Sequence, residues 1–210
     1  MKNPNMKQPL LFATLNTGKV EEMKAILGDR YPVLSLKEYG IMQQADEPYD
    51  TLEENARAKC SALFKSTGLP CFSEDTGLFT EVLGGSPGVH SARYAGEKST
   101  AEDNLQKLLH ELSGLENRKA EFRTVICLIE NGREHFFEGV CKGRIIEMPR
   151  GNQGFGYDPV FVPEGSEKTF AEMSKEEKAL FSHRKKALSQ LIAFLDALPG
   201  SQAFVLPMRS

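Results

Sequence analysis

Phe72-Ser-Glu-Asp-Thr-Gly-Leu78, running on into Gly84-Gly-Ser-Pro-Gly-Val-His-Ser-Ala-Arg-Tyr-Ala-Gly96, is the stretch around which the chain is organised. Its sequence predicts a short apolar strand from Leu69 to Ser73, two adjacent carboxylates, a Thr-Gly turn and a glycine-rich loop carrying Arg93. Such an arrangement can hold a divalent metal beside a phosphate. Carboxylate oxygens are the hard ligands Mg²⁺ prefers, and the ion keeps water and substrate phosphate as its other ligands, so one or two acids suffice. The same residues also make an ordinary turn after a strand, where Asp and Gly are common. The flanking sequence decides between these readings.

Upstream, Pro9 to Thr14 is an apolar run of strand length that ends in Asn16-Thr-Gly-Lys19, and a helix follows to Gly28 with Val20, Met23 and Leu27 on one face. A strand, a tight polar turn with a lysine and a helix N-terminus form an anion site in principle. The spacing is not that of a P-loop, and an ordinary capped helix accounts for it equally well. Val33 to Leu36 reads as a second strand. Asp46, Glu47 and Asp50 then precede a capping box, Thr51-Leu-Glu-Glu54, which opens a helix to about Ser66. Those acids either favour the helix dipole or, in the case of Glu47, supply a second carboxylate to a metal shared with Asp75.

Downstream, Ala101 to Leu112 is expected to be a helix with Leu105, Leu108, Leu109 and Leu112 facing inward. Residues 120–130 and 134–148 read as two long strands joined by an Asn131-Gly132 hairpin turn. Gly151-Asn-Gln-Gly-Phe-Gly-Tyr-Asp-Pro159 sets two aromatics among glycines, which suits either a stacking platform for a flat ligand or a tight turn with two anchoring rings. A short strand, 160–162, and helices over 171–180 and 182–195 complete the chain. Ser182-His-Arg-Lys185 opens the last helix, where cations oppose the helix dipole, so helix stability alone does not favour them.

Composition sets the outer bounds. With 210 residues, 40% of them hydrophobic, the chain can bury a proper core. A net charge of −3 argues against a broad electrostatic grip on nucleic acid or an anionic membrane. No apolar run approaches a membrane span, and the opening Met1-Lys-Asn-Pro-Asn-Met-Lys-Gln-Pro lacks the hydrophobic core of a signal peptide, so a cytoplasmic location is expected. Cys60, Cys71, Cys127 and Cys141 sit in apolar stretches without paired spacing, as reduced, buried thiols do.

Five motifs in order resemble the inosine triphosphate pyrophosphatase family, enzymes that hydrolyse non-canonical purine nucleoside triphosphates to the monophosphate and pyrophosphate. They are Thr14-Leu-Asn-Thr-Gly-Lys19, Glu54-Asn-Ala-Arg-Ala-Lys59, the acidic centre Ser73-Glu-Asp-Thr-Gly-Leu78 with its glycine loop, Gly154-Phe-Gly-Tyr-Asp-Pro159, and Ser182-His-Arg184. The resemblance implies a single domain over residues 1–210 with a two-lobed α/β fold, ITPase-like, built on a long bent mixed β-sheet flanked by helices. It also implies a homodimer, a nucleoside triphosphate between the lobes, and Mg²⁺ as cofactor. It assigns the phosphates to Thr14, Asn16 and Lys19, with Leu15, Thr17 and Gly18 in the same substrate-binding stretch. It assigns the metal to Glu47 and Asp75 with Glu74 beside them, the general base to Asp75, and a substrate contact to Thr76. Phe155, Gly156, Tyr157, Asp158, Lys178, His183 and Arg184 would enclose the base. Two positions depart from the family pattern. Leu15 stands where a small or polar residue is more common, and Glu74 replaces a common Asp with an arm one methylene longer, which leaves open which acid touches the metal. A Maf-type pyrophosphatase of other base specificity and a nucleotide sensor without turnover are the alternatives. Phe155 and the Ser-His-Arg end weigh against the first, the intact acids against the second.

Overall fold

The structure, a computed structural model, describes residues 9–198; the expectation of no signal peptide falls on residues 1–8, outside them. No helix among the described residues is long and apolar enough to cross a membrane. The architecture is α/β. Strands β1 (Leu10–Phe12), β2 (Val33–Ser35), β3 (Cys71–Thr80), β4 (Pro87–Gly88), β5 (Lys119–Glu130), β6 (Arg133–Ile145) and β7 (Phe161–Pro163) form one mixed seven-stranded sheet in the order β2-β1-β3-β5-β6-β7, with β4 paired to β3. The helices are α1 (Thr17–Leu27), α2 (Leu36–Tyr39), α3 (Leu52–Thr67), α4 (Ala101–Glu111), α5 (Lys175–Phe181) and α6 (His183–Ala197).

The described residues divide into two compact units, the first comprising those through Asp75, Val125–Phe137 and those from Ala187 to 198, the second Thr76–Thr124 and Glu138–Lys186. Strands β3, β5 and β6 therefore contribute residues to both. In the first unit β1 pairs parallel with β2 and with β3. Its alternation explains why it reads as a continuous apolar run. Leu10 and Phe12 join a core with Met23 and Leu27 of α1 and Leu188, Leu191 and Leu195 of α6, while Leu11 and Ala13 join Ala56, Cys60 and Leu63 of α3. A parallel strand covered on both faces has no polar side to show. Phe12 and Phe72 stack across β1 and β3 with centroids 4.5 Å apart, a contact of about 0.5–1.5 kcal/mol beyond burial.

In the second unit Leu105 and Leu108 of α4, and Leu112 just past its end, lie on a core that includes Leu78, Phe122, Phe161 and Phe170. The Asn131-Gly132 turn behaves as its sequence predicts. Both residues have positive φ, 50° and 72°, as a type I′ hairpin requires.

The expected Thr-Gly turn is corrected by the structure. Glu74, Asp75, Thr76 and Gly77 continue as strand to Thr80, because ladder pairing overrides the local turn preference of Asp and Gly. Gly77 has a different purpose there: a Cβ at that position would lie 2.5 Å from the Gly88 carbonyl oxygen of the paired β4. The four cysteines are free and buried. Hydrogen bonding to Cys60 and burial push the Cys127 thiol well up, and burial raises Cys141 to about 11, so neither is a ready nucleophile.

Candidate active site

The first unit carries the residues expected at the phosphates and metal. Asn16 caps α1 by accepting a hydrogen bond from the Lys19 backbone N–H at 3.1 Å. Thr14 is buried and its hydroxyl accepts from the Asn16 N–H at 3.2 Å, while the Leu15 N–H donates to Gln44. Leu15, Asn16 and Thr17 are exposed at this turn, with Gly18 and Lys19 half-buried. The Lys19 ammonium extends to the buried Glu74 carboxylate, 3.1 Å away. Successive strand residues point to opposite faces, so Glu74 and its neighbour Asp75 diverge.

Asp75 instead meets Lys59. The Lys59 ammonium donates to Asp75 Oδ1 at 2.9 Å and to Glu47, so one buried cation bridges the two expected metal ligands. Lys59 is only 3% exposed. Burial by itself would lower its pKa, but the charges of Asp75 and Glu47 outweigh that and hold the ammonium above its ordinary value. Burial raises the Asp75 carboxyl despite the attraction of Lys59, with Glu47 adding to the rise. The other oxygen, Asp75 Oδ2, is buried with no hydrogen-bond partner.

These features fit a hard dication. The donors are all oxygen, one of them is unsatisfied, and an ammonium already stands in for positive charge between the two carboxylates. No group of three or more His, Cys, Asp or Glu that could hold a metal is found among the described residues. The donor set therefore suits an ion that keeps water and substrate oxygens, as Mg²⁺ does, and not one needing an all-protein cage.

The second unit carries Thr76 and the residues expected around a base. Thr76 Oγ1 lies 2.6 Å from Thr124 Oγ1. Asp158 is buried and organises its loop: its carboxylate accepts from the Phe155 N–H at 2.9 Å and from the Lys178 ammonium at 2.7 Å. Gly154, at φ 78°, leaves room for that carboxylate, which any Cβ there would overlap. Phe155 is 41% exposed, with Lys178 and Arg184 over its ring at 5.4 and 5.7 Å. Gly156 is half-buried, and Tyr157 is buried with its hydroxyl donating to the Ser91 carbonyl at 2.9 Å, so Tyr157 anchors the loop. His183 and Arg184 open α6 and are buried. The His183 ring stacks on Phe122 at 4.8 Å and 13°.

The structure thus joins Glu47 to Asp75 through Lys59, and Phe155 to Asp158, Lys178 and Arg184. Glu74 is joined to Lys19. Phe122 and Thr124 escaped the sequence reading, and Lys59 stood in the Glu54 to Lys59 motif with no role assigned to it. Lys59 left a signal, a lysine at helical spacing from Ala56 and Leu63 on the buried face of α3. Phe122 and Thr124 act across strands, and no local pattern marks them.

The profile of the Ham1 family matches residues 10–194. A dITP/XTP pyrophosphatase of Flavobacterium psychrophilum is 49% identical over 185 residues, covering 88% of this chain and 97% of that protein. One of Porphyromonas gingivalis is 49% identical over 189 residues, covering 90% and 97%. Among solved structures, the Ham1 protein of Staphylococcus aureus matches with TM-score 0.81 at 37% identity, over 90% of this chain and 98% of that one. A HAM1 protein of Coxiella burnetii matches with TM-score 0.83 at 36% identity, over 90% and 99%.

Proposed function

Because the chain belongs to the Ham1 family, we infer that it hydrolyses non-canonical purine nucleoside triphosphates, dITP, ITP and XTP, to the monophosphate and pyrophosphate. The observation that carries this reading to particular atoms is the pair of carboxylates, Glu47 and Asp75, gathered on the buried Lys59. The reaction removes deaminated purines from the nucleotide pool.

The chain's own groups divide the work. The exposed turn at Thr14 to Lys19 offers backbone N–H groups at a helix start and the Lys19 ammonium to the phosphates. Glu47 and Asp75 would hold Mg²⁺, which when bound offsets phosphate charge and acidifies water. Asp75 orients the attacking water and takes its proton; its carboxyl is held above the ordinary value by burial, which makes it a better base than an exposed Asp. Phe155 stacks on the purine. Lys178 and Arg184 donate to the 6-oxo group of hypoxanthine or xanthine, where adenine presents an amino donor instead. We take the two units to be lobes of one domain, and the protein to act as a cytoplasmic homodimer, on the strength of the family resemblance.

Incubation with ITP, dITP and XTP in Mg²⁺, followed by chromatography, tests the reading. The monophosphate and pyrophosphate should appear together from the start. IDP as the main early product would overturn attack at the α-phosphorus, and no turnover of any of the three would overturn the activity itself.

A further inference from the structure

We propose that Thr124 is a positioning residue that fixes which way the Thr76 hydroxyl points its proton, making Thr76 a donor to a phosphate oxygen of the nucleoside triphosphate. The proposal rests on the functional reading above and deepens it. The two hydroxyls face each other across β3 and β5 in the second unit, 2.6 Å apart. Distance alone does not say which one donates. Burial does.

Thr124 is 0% exposed, and among the described residues its hydroxyl has no hydrogen-bond partner besides Thr76. If Thr76 donated, the Thr124 proton would be left inside the protein with no acceptor, and an unpaired buried donor is costly. If Thr124 donates, its proton is satisfied, and the only proton left over is that of Thr76. Thr76 is half-buried, so this proton has access to a ligand. A hydroxyl that already accepts a hydrogen bond is also a stronger donor through mutual polarisation. Thr124 therefore does two things to Thr76: it removes the inward donor geometry and strengthens the outward one. Alternation along β3 sets Thr76 on the face of Glu74, whose carboxylate meets the Lys19 ammonium proposed for the phosphates, and what an outward hydroxyl proton on that face requires is an acceptor, as an anionic phosphate oxygen is.

The test is a cycle of variants assayed for kcat/KM on ITP: Thr124→Val, Thr124→Ser, Thr76→Val and the double Val variant. Thr124→Val keeps shape and loses the donor, and should lower kcat/KM about five- to tenfold, the worth of one neutral hydrogen bond. Thr124→Ser keeps the donor and should stay within about twofold, allowing for the lost methyl group. Thr76→Val should lose at least as much as Thr124→Val, and adding Thr124→Val to it should cost nothing more, because residues acting through one contact are not additive. Thr124→Cys, a weak donor of similar size, serves if the Val variant fails to fold, and should give a smaller loss in the same direction. Thr124→Val at wild-type level, a serine variant as poor as the Val variant, or a second full loss in the Thr76→Val background would each overturn the proposal. A wild-type protein inert toward ITP would overturn the functional reading instead.

Discussion

The two sets of residues proposed to bind the nucleotide meet charge in different ways. In the first unit three carboxylates, Glu47, Glu74 and Asp75, face the ammoniums of Lys19 and Lys59. In the second unit the Lys178 ammonium meets the buried Asp158 carboxylate at 2.7 Å, and Arg184 lies over the Phe155 ring. The cations of the first set are held by carboxylates, while those of the second also lie over aromatic rings, Lys178 at 5.4 Å from Phe155 and 5.2 Å from Phe170. Carboxylates gathered on a buried ammonium suit a further cation; cations over a flat ring suit a planar ligand rich in acceptors. The way cations are held, by carboxylates in one set and over aromatic rings in the other, separates the residues proposed for metal and phosphate from those proposed for the base.

Asp75→Asn gives the largest expected break in this comparison. It removes the proposed base and a charge of the proposed metal site at once, so turnover of ITP should fall by ~10²–10⁴-fold. The fold should survive. Because burial raises the folded Asp75 carboxyl above its unfolded value, its ionisation costs stability as pH rises through that raised value, and the cost is absent below the unfolded value. The Asn variant lacks that cost but also lacks one of the two carboxylates on the Lys59 ammonium, which keeps Glu47 as a partner, so at neutral pH it should remain folded. More than a tenth of wild-type activity, or outright unfolding, would count against the assignment.

Lys59→Met comes next and acts on stability. With the ammonium gone, Glu47 and Asp75 face each other with no cation between them, a loss of about 3–5 kcal/mol by analogy with broken buried pairs. Mg²⁺ should restore part of it, raising the melting temperature of the Met variant more than that of the wild type, since it binds the folded state in place of the lost charge. Equal shifts in the two proteins would mean that the ammonium and the metal do not share a place.

Much of this was legible in the sequence, and the gaps have physical causes. Helix α3 followed from its Thr51 cap and Gly68 stop, and the β5–β6 hairpin from Asn131-Gly132. The acids at 74 and 75 were visible, but the turn read there was wrong, because pairing partners far along the chain, not Asp and Gly preferences, decide whether β3 continues. The partition of those acids, Glu74 to Lys19 and Asp75 to Lys59, depends on strand alternation and on which helix faces each side. The short β4 and α2 carried too few residues for any period to show.

In the second unit, Lys178→Met sharpens the contrast by testing choice. Lys178 lies 2.7 Å from Asp158 and over Phe155, so its removal deletes a donor from the residues proposed to enclose the base. Adenine offers no acceptor at the 6-position, so ATP loses little, whereas ITP should lose about tenfold to a hundredfold in kcat/KM, the ~1–3 kcal/mol of an unmade polar contact. Measured side by side on both proteins, an unchanged ITP to ATP ratio would show that Lys178 does not read the base.

Phe155→Leu should have the smallest effect, and its value lies in what it leaves alone. The Phe155 ring is 41% exposed and is held at its base by the backbone N–H donated to Asp158, so truncating the ring leaves the loop anchored. Every purine has a π-face, so a ring that stacks gives affinity without discrimination, worth ~1–3 kcal/mol per base on full truncation to Ala. Leucine keeps apolar contact and loses only part of that, so KM should rise by about fivefold. The rise should be the same for ITP, XTP and ATP, because the donors proposed to distinguish them, Lys178 and Arg184, stay in place. The two substitutions are thus expected to differ in kind: Lys178→Met changes the ratio between nucleotides, and Phe155→Leu moves all of them together. If Phe155→Leu narrowed the ITP to ATP ratio as Lys178→Met does, the ring would be acting by positioning the two cations above it, and stacking and selection would be one function of the second unit instead of two.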